Sequence, residues 1–158
     1  MTGDETSTTA YFSSRSQMFR KLIGGLGSPW WIPGFPVEFV GGGTELARLA
    51  AVLESVAFML EANLAAMRRC AEVERVRISG GLARSDLLCQ ALATASGLAV
   101  ERSVETEATA RGAAYLAAGE PAGWRETGIE RTFLPVADAA LETRHRRWRT
   151  EMARHGAG

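Results

Sequence analysis

The sequence has 158 residues, of which 46% are hydrophobic and 23% are charged, and its formal net charge is +0. This length and composition suit one globular domain with its own core and exclude an intrinsically disordered chain. The balanced charge argues against a protein that binds nucleic acid through a broad positive field, so we expect no nucleic-acid partner.

The two ends of the chain predict short tails. Residues 1–10 are polar and lack the basic start and apolar stretch of a signal peptide, so we expect a disordered tail. Residues 155–158 form the second expected tail, which leaves one domain over 11–154. No apolar run comes near the ~20 residues that cross a bilayer. We therefore expect no membrane contact and a cytoplasmic location.

The cysteines and histidines predict no metal site. Cys70 and Cys89 stand among apolar residues in helical patterns, which predicts two buried thiols in a reducing compartment. A metal pair would need close ligand spacing and help from histidine. The two histidines, His145 and His155, lie far along the chain.

The first half of the chain predicts a short helix, a packed loop and a long helix. The short helix covers residues 11–21. The glycines and prolines of residues 24–36 exclude a regular helix, and the aromatic side chains there predict a loop packed on the core. Residues 37–40 predict a short strand. Thr44 is placed to cap a long helix that should end near Cys70.

The second half predicts alternating strands and helices. Residues 75–79 predict a strand, and Ser85 can cap the helix that follows. Gly97 suits the left-handed end of that helix. Residues 98–102 predict a second strand, parallel to the first because a right-handed helical crossover joins the two. Another helix is expected over about 106–118.

A final helix is predicted over residues 138–154. Leu141, His145, Trp148 and Met152 recur on one side of this helix and are expected to face the core. The arginines around its other sides are expected to form a solvated face: Arg144, Arg146, Arg147 and Arg149.

Two glycine clusters lack the setting of a known phosphate loop. Residues 41–43 precede Thr44, but no lysine stands before that threonine, which excludes a Walker A loop. Residues 24–27 lead into proline and tryptophan instead of a helix, which excludes the dinucleotide fingerprint. The Gly-x-Ser-x-Gly elbow of the α/β-hydrolases is absent from the sequence.

Gly80 and Gly81 have the setting of a ligand-binding turn. They lie between the carboxyl end of a predicted parallel strand and the start of a helix, where open α/β sheets bind ligands. Two glycines would let a base or ribose approach the backbone, and Ser85 adds a hydroxyl. The alternative is a tight turn in which Ser85 acts only as a cap. The spacing leaves both possibilities open.

Residues 25–148 resemble the C-terminal domain of the FGGY carbohydrate kinases, which include glycerol kinase and xylulokinase. Residues 78–90 are similar to the family's Gly-Gly-x-x-x-Ser-x-x-x-x-Gln turn, and residues 107–117 to its Glu-x-Thr-Ala-x-Gly-Ala-Ala helix. The resemblance implies an α/β fold: a partial actin-like ATPase (ribonuclease H-like) C-terminal domain, incomplete within 11–154. Its helices should pack on a small, mostly parallel sheet.

The resemblance also implies a nucleotide site. Gly81 and Ser85 match positions that contact the nucleotide in that family, and Gly80 lies in the same turn. The implied ligands are ATP or ADP with Mg²⁺, whose own ligands are expected outside this chain. The small residues Gly112, Ala113 and Ala114 are expected to let their helix lie close to a neighbouring element.

One segment departs from the family pattern. Residues 25–31 resemble the family's Gly-Leu-Gly-Ala-Pro-x-Trp, but Ile32 and Pro33 stand where the family has Asp-Pro. The arginine of the following family loop is also missing from residues 34–39. This departure leaves the identity of the sugar open.

The resemblance places the catalytic base and the first phosphate loop ahead of this region. The aspartates Asp4, Asp86 and Asp138 lack that context, so we expect no catalytic residue. The expected function is the nucleotide-binding portion of an ATP-dependent sugar or polyol kinase, inactive alone, which meets its sugar only with an N-terminal domain. The alternative is a non-catalytic interaction or oligomerisation module. In that case Trp30, Trp31 and the long helix would bind a second copy or a companion subunit.

Overall fold

The computed structural model of the chain describes residues 18–19, 27–35, 38–124 and 127–154. The two expected tails lie outside these ranges. Strand β1 (Met18–Phe19) pairs antiparallel with β2 (Phe39–Val40). The helix expected over 11–21 is therefore wrong at residues 18–19, where pairing with β2 satisfies the backbone and overrides the helical pattern; its other residues lie outside the described ranges. The strand expected over 37–40 is confirmed at its last two residues.

Helix α1 (Glu45–Met67) begins as the sequence predicts. The Oγ1 of Thr44 accepts a hydrogen bond from the backbone N of Ala47 at 3.3 Å, which makes Thr44 the N-cap. The helix ends three residues before Cys70, which lies in an exposed turn. The expectation of a buried Cys70 is wrong for this reason.

By length and composition, α1 is also apolar enough to cross a membrane, since an 18-residue window has a mean hydropathy of 1.5. The expectation that no apolar run comes near this length is therefore wrong. A core helix meets the same criterion, and α1 carries the buried Glu54, which is paired with Arg144 of another helix. That ion pair and the packing of α1 against its neighbours make it a core helix of this domain.

The central unit is a strand, a helix and a parallel strand. Strand β3 (Arg75–Ile78) pairs parallel with β4 (Ala99–Ser103), and α2 (Asp86–Ser96) joins them. The Oγ of Ser85 accepts a hydrogen bond from the N of Leu88 at 3.3 Å and caps α2. At the other end Gly97 adopts φ 69°. Both predicted caps are confirmed.

Helix α3 (Ala108–Ala117) and strand β5 (Ile129–Phe133) follow. Strand β5 pairs antiparallel with β4, with a register shift between Arg102 and Ser103, and the sheet order is β3-β4-β5. The α/β architecture is confirmed, but this sheet is mixed instead of mostly parallel. The sequence did not reveal β5 because Phe133 is its only buried residue, so the strand carries almost no alternating apolar pattern.

Helix α4 (Ala139–Arg154) is capped by Asp138, whose Oδ1 accepts from the N of Leu141 at 2.8 Å. Arg144 contradicts the expected solvated face, because it is buried and its Nε donates to Oε2 of Glu54 at 2.8 Å. A second bond, from Nη2 to Oε1 at 2.9 Å, makes the pair bidentate. His145 is only partly buried, stacked on Phe58 with ring centroids 4.6 Å apart.

The core lies between α1, α2, α4 and the sheet. Its largest fully buried side chains are Trp148, Phe58, Leu88, Leu92, Met152 and Val100. The loop over 27–35 packs on this core as predicted: Phe35 is buried, and Trp30 lies 5.9 Å from the ring of Trp148. Asn63 of α1 ties down the loop by donating to the O of Ser28 at 3.0 Å. Trp31, in contrast, is 74% exposed.

Candidate functional site at the glycine turn

The candidate site is the segment from Gly80 to Ser85, here called the glycine turn, between β3 and α2. Gly80 has φ 90° and ψ 177°, a region that only glycine enters easily. A short 3₁₀ helix (Gly81–Arg84) follows, in which the N of Ala83 donates to the O of Gly80 at 3.1 Å. The N of Ser85 donates to the O of Leu82 at 3.1 Å and completes the turn. The backbone alone therefore explains the glycine at position 80.

The same argument does not explain Gly81. Its φ lies outside the left-handed region, and a Cβ built on it would meet nothing within 4 Å. A larger residue would therefore fit in this chain without backbone strain. The absence of a side chain at position 81 leaves open space above the turn, where another molecule can lie against the backbone.

Ser85 holds two positions at once, at the end of the glycine turn and at the N-cap of α2. Its Oγ is the acceptor in the bond from Leu88, so the hydroxyl keeps its own hydrogen for donation. The sequence offered capping and ligand contact as alternatives. The structure shows the capping bond and is compatible with both roles.

Arg102 of β4 contacts the glycine turn, a role that was not predicted from the sequence. Its Nη1 lies 3.3 Å from the O of Ala83, 3.4 Å from the O of Arg84 and 2.7 Å from Oδ1 of Asp86. Asp86 is shared with Arg131 of β5, whose Nη1 lies 2.6 Å from Oδ2. Arg102 stands two residues after the buried Val100, on the inward side of the strand. An arginine at such a position is the signal that could have revealed it.

The two side chains that donate to the turn, Arg102 and Cys89, each keep one protonation state near neutral pH. The hydrogen bond that Arg102 donates to the Asp86 carboxylate raises the pKa of Arg102 above its usual value, so the guanidinium stays charged. Burial raises the pKa of the Cys89 thiol, which therefore stays protonated near neutral pH. The Sγ of Cys89 donates to the O of Ala83 at 3.2 Å. Two donors thus converge on one carbonyl of the glycine turn.

An open cavity of about 350 Å³ lies at the carboxyl ends of β3 and β4; it is lined by Ser79, which precedes the glycine turn, and by residues outside that turn. Ser79 and Ser103 line its floor, and Ser103 shares a 2.7 Å hydrogen bond with Thr127. Trp124 lines the wall, with the guanidinium of Arg111 4.7 Å above its ring. The hydroxyls and aromatic faces suit a ligand with both polar and planar parts.

The other residues considered from sequence lie elsewhere or serve structural roles. Asp86 pairs with two arginines and Asp138 caps α4, while Asp4 lies outside the described residues. Within the described part of the chain, α3 has no buried residue, and a Cβ on Gly112 would meet nothing within 4 Å. The close neighbour expected for the small residues of α3 is therefore not found among the described residues.

Comparison with known proteins places this geometry in a family. The profile of the FGGY family of carbohydrate kinases, C-terminal domain, matches residues 10–119. A glycerol kinase from Polaromonas sp. is 39% identical over 140 residues, covering 77% of this chain and 28% of the relative. A glycerol kinase from Dechloromonas aromatica is 42% identical over 123 residues, covering 75% of this chain and 24% of the relative. This chain therefore spans only about a quarter of the length of these relatives.

Solved structures show the same fold. A xyloylose kinase from Brucella ovis superposes with a TM-score of 0.74 at 24% identity, covering 96% of this chain and 35% of that one. Plasmodium falciparum glycerol kinase, solved with ADP, superposes with a TM-score of 0.68 at 19% identity, covering 96% of this chain and 34% of that one. At these identities the likeness establishes the fold.

Proposed function

We propose a nucleotide-binding role for this chain, which belongs to the FGGY family of carbohydrate kinases as its C-terminal domain. In the proposed reaction the γ-phosphoryl group of ATP passes to a hydroxyl of a sugar or polyol. The glycine turn would contact the adenosine end of ATP or ADP through Gly80, Gly81 and Ser85. The free cysteines Cys70 and Cys89 support a cytoplasmic setting for this activity.

The observation that carries the proposal is the space at Gly81. The turn needs a glycine at position 80 for its backbone, but nothing in the described chain needs one at position 81. A ligand that packs against the backbone gives the second glycine a physical reason. The turn follows the carboxyl end of a parallel strand and leads into a helix N-terminus, a setting that favours nucleotides.

The rest of the catalytic machinery is proposed to come from an N-terminal domain. Phosphoryl transfer needs Mg²⁺, positioned phosphates and a group that orients the attacking hydroxyl. Within the described part of the chain, no group of three or more His, Cys, Asp or Glu side chains could hold a metal ion. We propose that this chain alone has no kinase activity, since it spans only about a quarter of the length of its glycerol kinase relatives. Turnover by the purified chain with ATP and a panel of polyols would contradict this.

The test of nucleotide binding is a titration of the chain with fluorescently labelled ADP. Gly81→Arg places a long side chain in the open space and should weaken binding at least about tenfold, a loss of about 1.4 kcal/mol. Gly42→Arg is the matched control, because Gly42 also has no atom within 4 Å of a built Cβ and lies in the loop before α1. Equal binding by wild type and Gly81→Arg, or no binding by wild type, would reject the proposed site.

The second candidate is a non-catalytic interaction or oligomerisation module. The observation that favours it is α3, which has no buried residue and exposes Leu116. Sedimentation of the chain, together with thermal melting with and without ADP, separates the two candidates. Self-association without any effect of nucleotide on melting would favour the interaction module. A melting temperature that rises with ADP would favour the nucleotide site.

A further inference from the structure

We infer that Arg102 is a positioning residue for the nucleotide contact. Its guanidinium bonds to carbonyl oxygens of the glycine turn and keeps the turn in the conformation that binds the nucleotide. This inference rests on the proposed function, because it concerns the same turn. It adds a residue on a different strand, which acts through the backbone of the turn instead of through the ligand.

The first support is the set of groups that Arg102 joins. One nitrogen, Nη1, is shared by the carbonyl oxygens of Ala83 and Arg84 and by the carboxylate of Asp86. The two carbonyls belong to the last residues of the 3₁₀ helix, and Asp86 begins α2. A single charged group therefore fixes the end of the turn relative to the helix that follows it.

The second support is that Arg102 is itself held firmly. Its Nη2 donates to Oε1 of Glu130 on β5 at 3.3 Å, and its Nε lies 3.3 Å from Oε2 of the same carboxylate. The guanidinium carbon lies 5.3 Å from the centre of the Phe133 ring. The residue is only 8% exposed. Arg102 thus connects the glycine turn to strands β4 and β5. These contacts fix where the turn lies relative to the sheet.

The third support is that the contact suits arginine better than lysine. The planar guanidinium presents five donors in a fixed fork, so it reaches the turn and Glu130 at the same time. A lysine at this position has one compact ammonium group and cannot span both sets of acceptors. Lysine would keep the charge beside Asp86 and lose part of the network.

Removal of Arg102 should loosen the turn without unfolding the domain. Both carboxylate partners, Asp86 and Glu130, have half-exposed side chains, so neither becomes a buried unpaired charge. The carbonyl of Ala83 keeps the thiol of Cys89 as a donor. The core residues Leu88 and Leu92 on α2 keep their packing.

The test measures amide hydrogen exchange by NMR without nucleotide and labelled-ADP affinity in the same variants. The amides of Ala83 and Ser85 close the turn, and the amide of Gly97, which donates to the O of Ala93 at 3.0 Å, reports on the far end of α2. Arg102→Gln should speed exchange at Ala83 and Ser85 about tenfold, as expected for the loss of one net hydrogen bond to a charged group. Exchange at Gly97 should stay within about twofold of wild type, since local openings are independent.

Two further variants separate positioning from general stabilisation. Arg102→Lys should give an intermediate exchange rate and restore part of the ADP affinity that Arg102→Gln loses. Arg131→Gln is the matched control, because Arg131 pairs with Asp86 at 2.6 Å but is half exposed and has no bond to the carbonyls of Ala83 and Arg84. This control should leave exchange at Ala83 and Ser85 within about twofold of wild type, as expected for an exposed ion pair.

The outcomes distinguish this inference from the proposed function. Unchanged exchange at Ala83 and Ser85 in Arg102→Gln overturns the inference, and so does an equal rise at Gly97, which would make Arg102 a general stabilising residue. Faster exchange with full ADP affinity overturns the link to binding. If wild type binds no ADP but the exchange pattern appears, the proposed function fails while the hold of Arg102 on the turn stands.

Discussion

Helices α2 and α3 each follow a strand of the same sheet, yet they are stabilised in different ways. Six of the eleven residues of α2 are buried, its N-cap is a serine side chain and its end is a left-handed glycine. Helix α3 has ten residues, none of them buried, and no side-chain hydrogen bond at its N-cap. The comparison shows two ways of holding a short helix. Helix α2 is held by burial in the core, whereas α3 is held by contacts at its surface, where Tyr115 and Arg111 lie against the ring of Trp124.

The largest difference should appear when one leucine is removed from each helix. Leu92 of α2 is 1% exposed, whereas Leu116 of α3 is 65% exposed. Leu92→Ala should lower the free energy of unfolding by about 2–5 kcal/mol, because it leaves a cavity in the core. Leu116→Ala should change it by less than about 0.5 kcal/mol. Urea unfolding followed by circular dichroism measures both, and equal losses would contradict the comparison.

The helix caps give the next test. Ser85→Ala removes the bond to the N of Leu88 and should lower the free energy of unfolding by about 1 kcal/mol. Glu107→Ala, at the N-cap of α3, removes no capping bond and should change it by less than about 0.5 kcal/mol. Matched urea titrations compare the two variants. A larger loss in Glu107→Ala than in Ser85→Ala would show that the capping assignment is wrong.

The buried thiol of α2 should make stability depend on pH. Because burial raises the pKa of Cys89 in the folded chain, its contribution to stability is complete below the unfolded pKa of about 8.5 and falls as pH rises through the folded value. Stability should therefore decline as the pH rises from 8 to 9.5. Urea unfolding in reducing buffer at both pH values, for wild type and Cys89→Ala, isolates the effect. An equal decline in both proteins would contradict it.

The smallest effect concerns two glycines. Gly112 lies within α3, and a Cβ there would meet nothing within 4 Å, so Gly112→Ala should raise the free energy of unfolding by about 0.5–1 kcal/mol. Gly97 ends α2 at φ 69°, where alanine is strained, so Gly97→Ala should lower it by about 1 kcal/mol. Thermal unfolding of both variants checks the opposite signs. A loss in Gly112→Ala would indicate that another molecule or segment covers α3.

The parts of the fold with strong local signals were predictable. Helices α1 and α2 begin at the predicted N-caps, Thr44 and Ser85, and α2 ends at the predicted left-handed Gly97. Strand β5 was missed because four of its five residues are exposed and its pairing with β4 comes from tertiary contact. The prediction of a solvated face on α4 is wrong at Arg144, which is paired with the buried Glu54. The sequence around an arginine does not show whether a distant carboxylate will pair with it in the core.

The candidate site was predictable in place but not in detail. The strand-turn-helix order located Gly80, Gly81 and Ser85, and their role with nucleotide stays a prediction. The cavity at the carboxyl ends of β3 and β4, and the contact of Arg102 with the carbonyl oxygens of the turn, depend on residues far apart in sequence, which local patterns do not connect. Only the position of Arg102, two residues after the buried Val100, carried a hint of its burial.

The two adjacent glycines of the turn can serve as a reporter on related chains. The backbone conformation at Gly80 requires glycine, so any chain that keeps this turn should keep a glycine there, whatever it binds. At Gly81 no atom of the described chain lies within 4 Å of a built Cβ, so folding alone does not limit the size of the side chain at this position. A relative with glycine at the first position and a bulky residue at the second would retain the architecture, and under the proposed function it would lose the nucleotide contact. Under the proposed function, these two positions together distinguish relatives that keep only the fold from relatives that keep the fold and the nucleotide contact.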